Sequence, residues 1–432
     1  MKNYFDEIVS INNIKEAYND LKEKFYNPMS DYYALSKLAR GIDGDCFSIF
    51  QRHSNKKFKT IREELLSYQP SLPSIDLSIP KSSNPNKFRV ISISSFKEKI
   101  KHQAVCRVIE PVLESLYTDN LYSYRQGRGA YNAIKAFRKH ILFDDEEYYI
   151  YKADLKDYFD NLDHPILLKI VDKVFKDPKL TDLIEVFLKQ QRITSDSILE
   201  SNKGVVQGIA ISSHLANLYL LELDKKMNDQ GIIYFRVGDD IIVMEKDKDK
   251  LKKIADYVEN FLVKARNLPI NFEKTEILSP NDSFEYLGYE FKGKNIRIAK
   301  RNCNKMKQKL RVKLNKKFTA HLDRSTVDQD LLLNEILTLI YPGKRIPDHV
   351  MWLRYFTLIN DTQQLKEMDD LIETRIRLLF FGKKRNKNIT QLPLKKLHKH
   401  NYVSLTKIYF DLTHGRKSFH EYVRYFTYKK QK

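Results

Sequence analysis

Apolar and aromatic residues in the first 70 positions recur at helical spacing, as Ile14, Ala17, Tyr18 and Leu21 do, and predict an N-terminal helical lead-in. From Leu72 to Pro80 prolines and serines mark an extended connection, after which Lys87-Phe-Arg-Val-Ile-Ser-Ile alternates like a strand. Residues 148–155, Tyr-Tyr-Ile-Tyr-Lys-Ala-Asp-Leu, form a β-branched and aromatic run that sets Asp154 where a strand ends. Asp163-His-Pro165 then opens a helical pattern with proline in its first turn. Ser212 to Met227 predicts another helix, preceded by the glycine-containing loop Gly204-Val-Val-Gln-Gly208. Two apolar runs follow, Ile232 to Val237 and Ile241 to Met244, parted only by Gly238-Asp-Asp240, which predicts a hairpin with two carboxylates at its tip. Leu331 to Ile340 and Asp369 to Phe381 return to helical periodicity.

Composition narrows what such a chain does. At 432 residues and 42% hydrophobic content it can bury a core in each of several subdomains, which excludes disorder throughout. Lys and Arg number 76 against 56 acidic residues, a net charge of +20, which favours a polyanionic partner, nucleic acid first. The charge is clustered, since Arg297 to Lys317 holds ten Lys or Arg and no acid. Cys46, Cys106 and Cys303 stand too far apart for a Cys-x-x-Cys ligand pair or a disulfide framework and read as isolated reduced thiols. The N-terminus carries Asp6 and Glu7 where a secretory signal needs an apolar core, and no apolar run approaches membrane-spanning length. The expectation is a cytoplasmic protein with no membrane partner.

Three acids converging from two neighbouring β-elements, Asp154 at a strand end with Asp239 and Asp240 at a hairpin tip, suit a two-metal phosphoryl-transfer site, because Mg²⁺ takes hard oxygen ligands. An Asp-Asp pair on a turn says little by itself, since turns are rich in Asp. The order of the surrounding motifs adds the rest. Motif by motif, the chain resembles the group II intron and retron branch of reverse transcriptases over about residues 70 to 300.

Lys87 and Arg89 fall in a segment similar to that family's fingers strand, in which a Lys and an Arg grip the incoming triphosphate. Leu121-Tyr-Ser-Tyr-Arg-Gln-Gly-Arg-Gly-Ala resembles the block Tyr-Gly-Phe-Arg-Pro-Gly-Arg-Ser-Ala, matching at Arg125, Gly127, Arg128 and Ala130, and implies nucleic-acid contacts at the two arginines. Asp154-Leu-Lys-Asp-Tyr-Phe-Asp-Asn-Leu-Asp-His resembles the first catalytic motif. It implies Asp154 as a metal ligand and Phe159 as a steric gate that crowds the sugar 2′ position and favours deoxynucleotides. Gly204-Val-Val-Gln-Gly-Ile-Ala-Ile-Ser-Ser resembles Gly-x-Pro-Gln-Gly-x-x-x-Ser-Pro and implies that Gln207 and Gly208 lie near the nucleotide, with Val206 where proline is common. Phe235-Arg-Val-Gly-Asp-Asp240 resembles Arg-Tyr-Ala-Asp-Asp, from which Val237 and Gly238 depart. Asn271-Phe-Glu-Lys-Thr resembles the next block and implies Lys274 as a proton donor to pyrophosphate, while Phe284-Glu-Tyr-Leu-Gly-Tyr resembles the primer-grip block.

The resemblance implies an α+β, right-hand polymerase fold with fingers, a palm of antiparallel sheet and helices, and a helical thumb. Its boundaries here are 1–70 for the lead-in, 71–147 for the fingers, 148–296 for the palm and 297–432 for a basic thumb with a C-terminal extension. Arg301, Lys305, Lys309, Arg311 and Lys313 are the implied phosphate contacts of that thumb. The implied activity is RNA-directed DNA synthesis from dNTPs with two Mg²⁺ ions, Mn²⁺ being able to substitute. Its partners are an RNA template and the DNA product, and a homo-oligomer stays open. No zinc-ligand cluster or His-Asn-His block follows the thumb segment, and the Val-Thr-Gly block of retron enzymes is missing, which points to an antiphage defence enzyme copying a noncoding RNA. Two other readings stay open: template-independent or protein-primed DNA synthesis of the abortive-infection type, and a non-catalytic, maturase-like RNA-binding protein.

Overall fold

A computed structural model describes residues 3–26, 41–81, 84–315, 328–342, 346–382 and 388–428, with the side chains of residues 81–87 outside the description. Internal packing divides the chain into two units, Met1–Ala133 with Asp145–Ser279, and Ile134–Asp144 with Pro280–Lys432. Among the described residues no helix is long and apolar enough to cross a membrane.

In the first unit the amphipathic helix Ile11–Phe25 buries Ile14, Ala17, Tyr18 and Leu21, the stripe its spacing predicts, and packs on the long helix Phe96–Leu116. Ser10 and Ser95 cap the two helices by accepting from the amides of Asn13 and Glu98. An aromatic cluster of Tyr18, Phe47, Phe50, Phe58 and Phe96 fills the space between them, with Phe47 and Phe96 edge to face at 4.9 Å. Strands β1 (Ser74–Lys81) and β2 (Asn84–Ile93) form an antiparallel ribbon that β4 (Arg192–Ile193) and β5 (Ile198–Leu199) extend in the order β2-β1-β4-β5. The expected extended connection from Leu72 to Pro80 is thus largely a strand. Its proline stands opposite Phe88 at the last regular pair before the register shifts at Lys81, beyond the two residues of β1 that pair with β4, a strand-end position of the kind proline tolerates.

A second sheet of the same unit has the order β6-β7-β3-β8, with β3 at Tyr149–Asp154, β6 at Ile233–Val237, β7 at Asp240–Glu245 and β8 at Glu276–Leu278. All its neighbours are antiparallel. Ile241 to Met244 are fully buried, and the helix Lys248–Asn260 packs on β3 and β7. The single helix expected over Ser212 to Met227 is two, Ala210–Tyr219 and Leu221–Asp229, broken at Leu220. Side chains cause the break: the carbonyl of Ala216 accepts from the Tyr158 hydroxyl at 2.6 Å and that of Asn217 from Arg236 Nη2 at 3.2 Å, so the regular ladder is interrupted there.

The second unit opens with a meander of β9 (Ser283–Tyr286), β10 (Tyr289–Lys292) and β11 (Asn295–Ile298), followed by helices. The meander therefore groups with the helices after it, and the boundary falls at 279/280. The helix Lys300–Lys313 turns Cys303, Met306 and Leu310 inward, and its remaining faces carry the basic residues. Gln329–Thr338 and Gln363–Phe381 are the helices predicted near 331–340 and 369–381. Asp369 caps the helix Leu405–Thr413 by accepting from the amides of Leu405 and Thr406 and from the Thr406 hydroxyl at 2.6–3.0 Å.

Candidate active site

The β-branched runs of β3 and β7 pair in a register that runs from Tyr149 opposite Glu245 to Asp154 opposite Asp240. Directly opposed residues share a face, so two carboxylates from distant parts of the chain meet across one sheet. β6 and β7 close through a two-residue turn, Gly238-Asp239, between Val237 and Asp240. Gly238 stands at φ +68°, which a tight hairpin turn requires and which glycine adopts without a steric penalty. Asp239 is thereby set beside Asp240 at the end of the sheet.

A buried cation steadies this turn from within. Arg236 is fully buried and forks onto Asp224, Nε to Oδ1 at 2.8 Å and Nη2 to Oδ2 at 2.5 Å, while Nη1 donates to the carbonyl of Gly238 at 3.3 Å. Tyr234 donates its hydroxyl to the same Asp224 at 3.0 Å. The buried carboxylate and the hydrogen bonds to it hold the guanidinium firmly in its charged form. At the tip the balance is opposite. Burial, then the charges of Asp239 and Asp154, push the Asp240 carboxyl up to about 7, and Asp239 is raised by burial and by Asp154.

Asp154 is held by the loop after Ile270. Asn271 donates its amide to the Asp154 carbonyl at 2.9 Å and its Nδ2 to Oδ2 at 2.7 Å, and Lys274 Nζ stands 2.9 Å from the same oxygen. The lysine side chain is 62% exposed against 13% for the aspartate, so the ammonium reaches the carboxylate from the solvent side. Lys274, the implied proton donor, is thus placed on a carboxylate of the site.

Phe159 lies half-buried in the 3₁₀ turn Tyr158–Asn161, whose backbone is tied to the following loop by Val205 N donating to Phe159 O at 2.7 Å. The Gln207-Gly208 segment lies directly on β2, with Ser92 N donating to Gln207 O at 2.8 Å. Gly208 has φ +102°, and a Cβ there would fall 2.7 Å from the Ser92 carbonyl, so no side chain fits. Arg89 is exposed on β2, and its charge acts on both Asp239 and Tyr124. The Lys87 side chain lies outside the described residues.

The implied nucleic-acid contacts divide. Arg125 turns inward: its side chain is 5% exposed and binds Glu114 and the carbonyls of Thr118 and Leu121, so it braces its own loop. Arg128 pairs with Asp119. In the second unit the stretch that is free of acids in sequence is not free of them in space. Arg297, Arg301, Lys307 and Lys313 meet Asp361, Glu285, Glu367 and Asp348. Lys305, Lys309 and Arg311, with Lys300, carry no acidic partner among the described residues. The last residues of the run, Lys316 and Lys317, lie outside those described.

Sequence reasoning passes over Arg236, Asp224 and Asn271. Asn271 was within reach, three residues before Lys274, whereas the Arg236–Asp224 fork shows only once β6 and the helix Leu221–Asp229 are packed. Among the described residues no three His, Cys, Asp or Glu side chains are close enough to enclose an ion as they stand. The donor chemistry fits one all the same: three hard carboxylates share one sheet end, and burial, with mutual repulsion added to it, pushes Asp239 and Asp240 up in a way that a divalent cation relieves.

Residues 79–291 match the family model described as reverse transcriptase (RNA-dependent DNA polymerase). Protein YkfC of Escherichia coli is 26% identical over 297 residues, covering 60% of this chain and 77% of its own. The group II intron-encoded protein LtrA of Lactococcus lactis is 30% identical over 222 residues, 49% of this chain and 36% of its own, so the chain spans about a third of that relative. Apo telomerase from Candida tropicalis aligns over 84% of this chain and 74% of its own at 15% identity and a TM-score of 0.44, too loose a likeness to add to the assignment. With its three aspartates gathered at one sheet end, the segment 79–291 is an α+β domain that matches the reverse transcriptase (RNA-dependent DNA polymerase) family.

Proposed function

We propose that the chain extends a primer 3′-hydroxyl with dNTPs on an RNA template, with two Mg²⁺ ions, or Mn²⁺ in their place, held by Asp154, Asp239 and Asp240. The observation that carries this reading is the register that sets Asp154 against Asp240 with Asp239 in the adjoining turn. A protein that only bound RNA would gain nothing from a half-buried cluster of acids facing phosphate. When bound, the ions supply activation of the primer hydroxyl and neutralisation of the triphosphate.

The remaining roles fall to the chain's own side chains. Arg89 offers a cation to the triphosphate on the same strand that supports the Gln207-Gly208 segment. Phe159 limits room at the sugar 2′ position. Lys274, 2.9 Å from Asp154, holds a proton for the departing pyrophosphate. Lys305, Lys309 and Arg311 on the helix Lys300–Lys313 hold phosphates of the duplex, in a thumb that runs from 297 to 432. LtrA's description as intron-encoded supports RNA as the template class. The narrower part of the proposal is that the template is a noncoding RNA copied in antiphage defence.

Purified protein is given Mg²⁺, labelled dNTPs and a primed RNA template, beside the variant in which Asp239 and Asp240 are both Ala. Template-dependent incorporation by the native protein alone is expected. Incorporation without template supports the abortive-infection type of synthesis instead, and none under any condition leaves a maturase-like binding role. Deleting the gene is expected to raise phage plating, and unchanged plating across a broad phage panel removes the defence role without touching the polymerase.

A further inference from the structure

The segment before the helix Ala130–Phe143 is fastened to the strand that leads into the Gly238-Asp239 turn. Arg236 N donates to Asn120 O and Tyr122 N to Arg236 O, each at 3.0 Å, and Leu121 bridges to Arg236 in parallel. One residue on, a buried exchange fixes the backbone again: Ser123 Oγ donates to Asn217 Oδ1 at 3.0 Å and Asn217 Nδ2 to Ser123 O at 2.8 Å. Arg125 then clamps the chain on the far side. Between these anchors Tyr124 is held at φ +54°, a left-handed backbone that costs a bulky residue about 1–2 kcal/mol.

The strained backbone puts the ring at the site. Its centroid lies 6.0 Å from that of Phe159 at an interplanar angle of 80°, an edge-to-face contact. Its hydroxyl is 3.9 Å from where a Cβ on Gly238 would stand, and among the described residues no other atom outside Val237, Gly238 and Asp239 comes within 4 Å of that point. Tyr124 is 47% exposed, and among the described residues its hydroxyl makes no hydrogen bond. Strain retained by several independent anchors, at a side chain set edge to face on Phe159 beside the Gly238-Asp239 turn, marks a position kept for function.

We infer that Tyr124 is a positioning residue for sugar selection, its ring backing Phe159 in the orientation that crowds a 2′-hydroxyl and its phenol filling the space that glycine leaves at position 238. The inference rests on the polymerase reading proposed above. Tyr124 acts through Phe159, so removing the ring lets Phe159 turn away from the sugar while the carboxylates and Arg89 stay in place. Ribonucleotides gain and deoxynucleotides lose little. Removing only the hydroxyl leaves the backing intact.

The test is kcat/KM for a dNTP and for the rNTP of the same base on one primed template, with native protein, Tyr124→Phe, Tyr124→Leu and Tyr124→Ala. In the Ala and Leu variants the rNTP-to-dNTP ratio is expected to rise about tenfold or more, with dNTP turnover kept within several-fold, and in the Phe variant to stay within about twofold of native. The inference is overturned by an active Ala or Leu variant with the native ratio, by equal losses for both sugars, by Ala and Leu variants that fail to fold or to incorporate either sugar, or by a Phe variant that shifts the ratio as far as Ala does. Native protein that incorporates no nucleotide on any template overturns the polymerase reading itself, and that outcome is seen before any variant is compared.

Discussion

At the scale of single residues, two charges of opposite kind, one half-buried and one buried, hold the site in tension. Asp240 is raised to about 7 by burial and by its neighbours, so its ionised form opposes the fold until a cation arrives. Asp240→Asn removes that repulsion while keeping the shape. In EDTA at pH 8 the variant is expected to gain about 1–3 kcal/mol in denaturant unfolding while losing nucleotide incorporation; a variant less stable than native would show that the carboxylate is not strained. Arg236 behaves in the other way. Arg236→Ala leaves Asp224 buried without its partner and removes the donor to Gly238, and is expected to cost about 3–5 kcal/mol in the same measurement. A loss below about 1 kcal/mol would mean that the fork does not secure the hairpin.

At the scale of elements, the sequence reads well where one element makes its own pattern and poorly where a neighbour decides. The stripe Ile14, Ala17, Tyr18 and Leu21, the strand ending at Asp154 and the hairpin at Gly238-Asp-Asp240 are all local patterns, and their convergence follows from two adjacent strands. The break at Leu220 is invisible in sequence because Tyr158 and Arg236 cause it from elsewhere. β1 hides behind its serines and proline, since pairing with β2 and a strand-end place for the proline let it tolerate them. The basic run misleads in the same manner: its answering acids lie far away in sequence, at Asp348, Asp361 and Glu367 among others. The helix Lys300–Lys313 therefore holds two kinds of cation. Replacing Lys305, Lys309 and Arg311 together by Ala is expected to weaken duplex binding and to lower the slope of log K against log salt by about 2–3, with unfolding unchanged within about 0.5 kcal/mol. A native salt slope in that triple variant would remove the helix from the nucleic-acid contacts.

At the scale of the whole molecule, each of the two units encloses a neutral histidine. Burial lowers His102 to about 4, with Lys101 adding to the effect and Glu98 opposing it, and lowers His349 to about 3, with Lys313 adding and Asp348 opposing. In the unfolded chain both titrate near 6.5, so between about 6.5 and 4 the unfolded state binds more protons and stability falls as pH falls. The contribution of His102 is complete above about 6.5 and reaches a loss of about 3 kcal/mol near pH 4. Urea unfolding followed from pH 7.5 to pH 4.5 should show this decline, and His102→Leu should flatten part of it; an unchanged slope in that variant would place the acid sensitivity elsewhere.

The central claim is that Asp154, Asp239 and Asp240 act together on an incoming deoxynucleotide, and labelled dNTP incorporation on a primed RNA template tests it most directly. The native protein is compared with Asp154→Asn, Asp239→Asn and Asp240→Asn, each checked by circular dichroism. The expected result is template-dependent extension by the native protein and a fall of about 10³-fold or more in each folded variant. Extension that survives at native rate in any one of the three, or no extension by the native protein on any template, would contradict it.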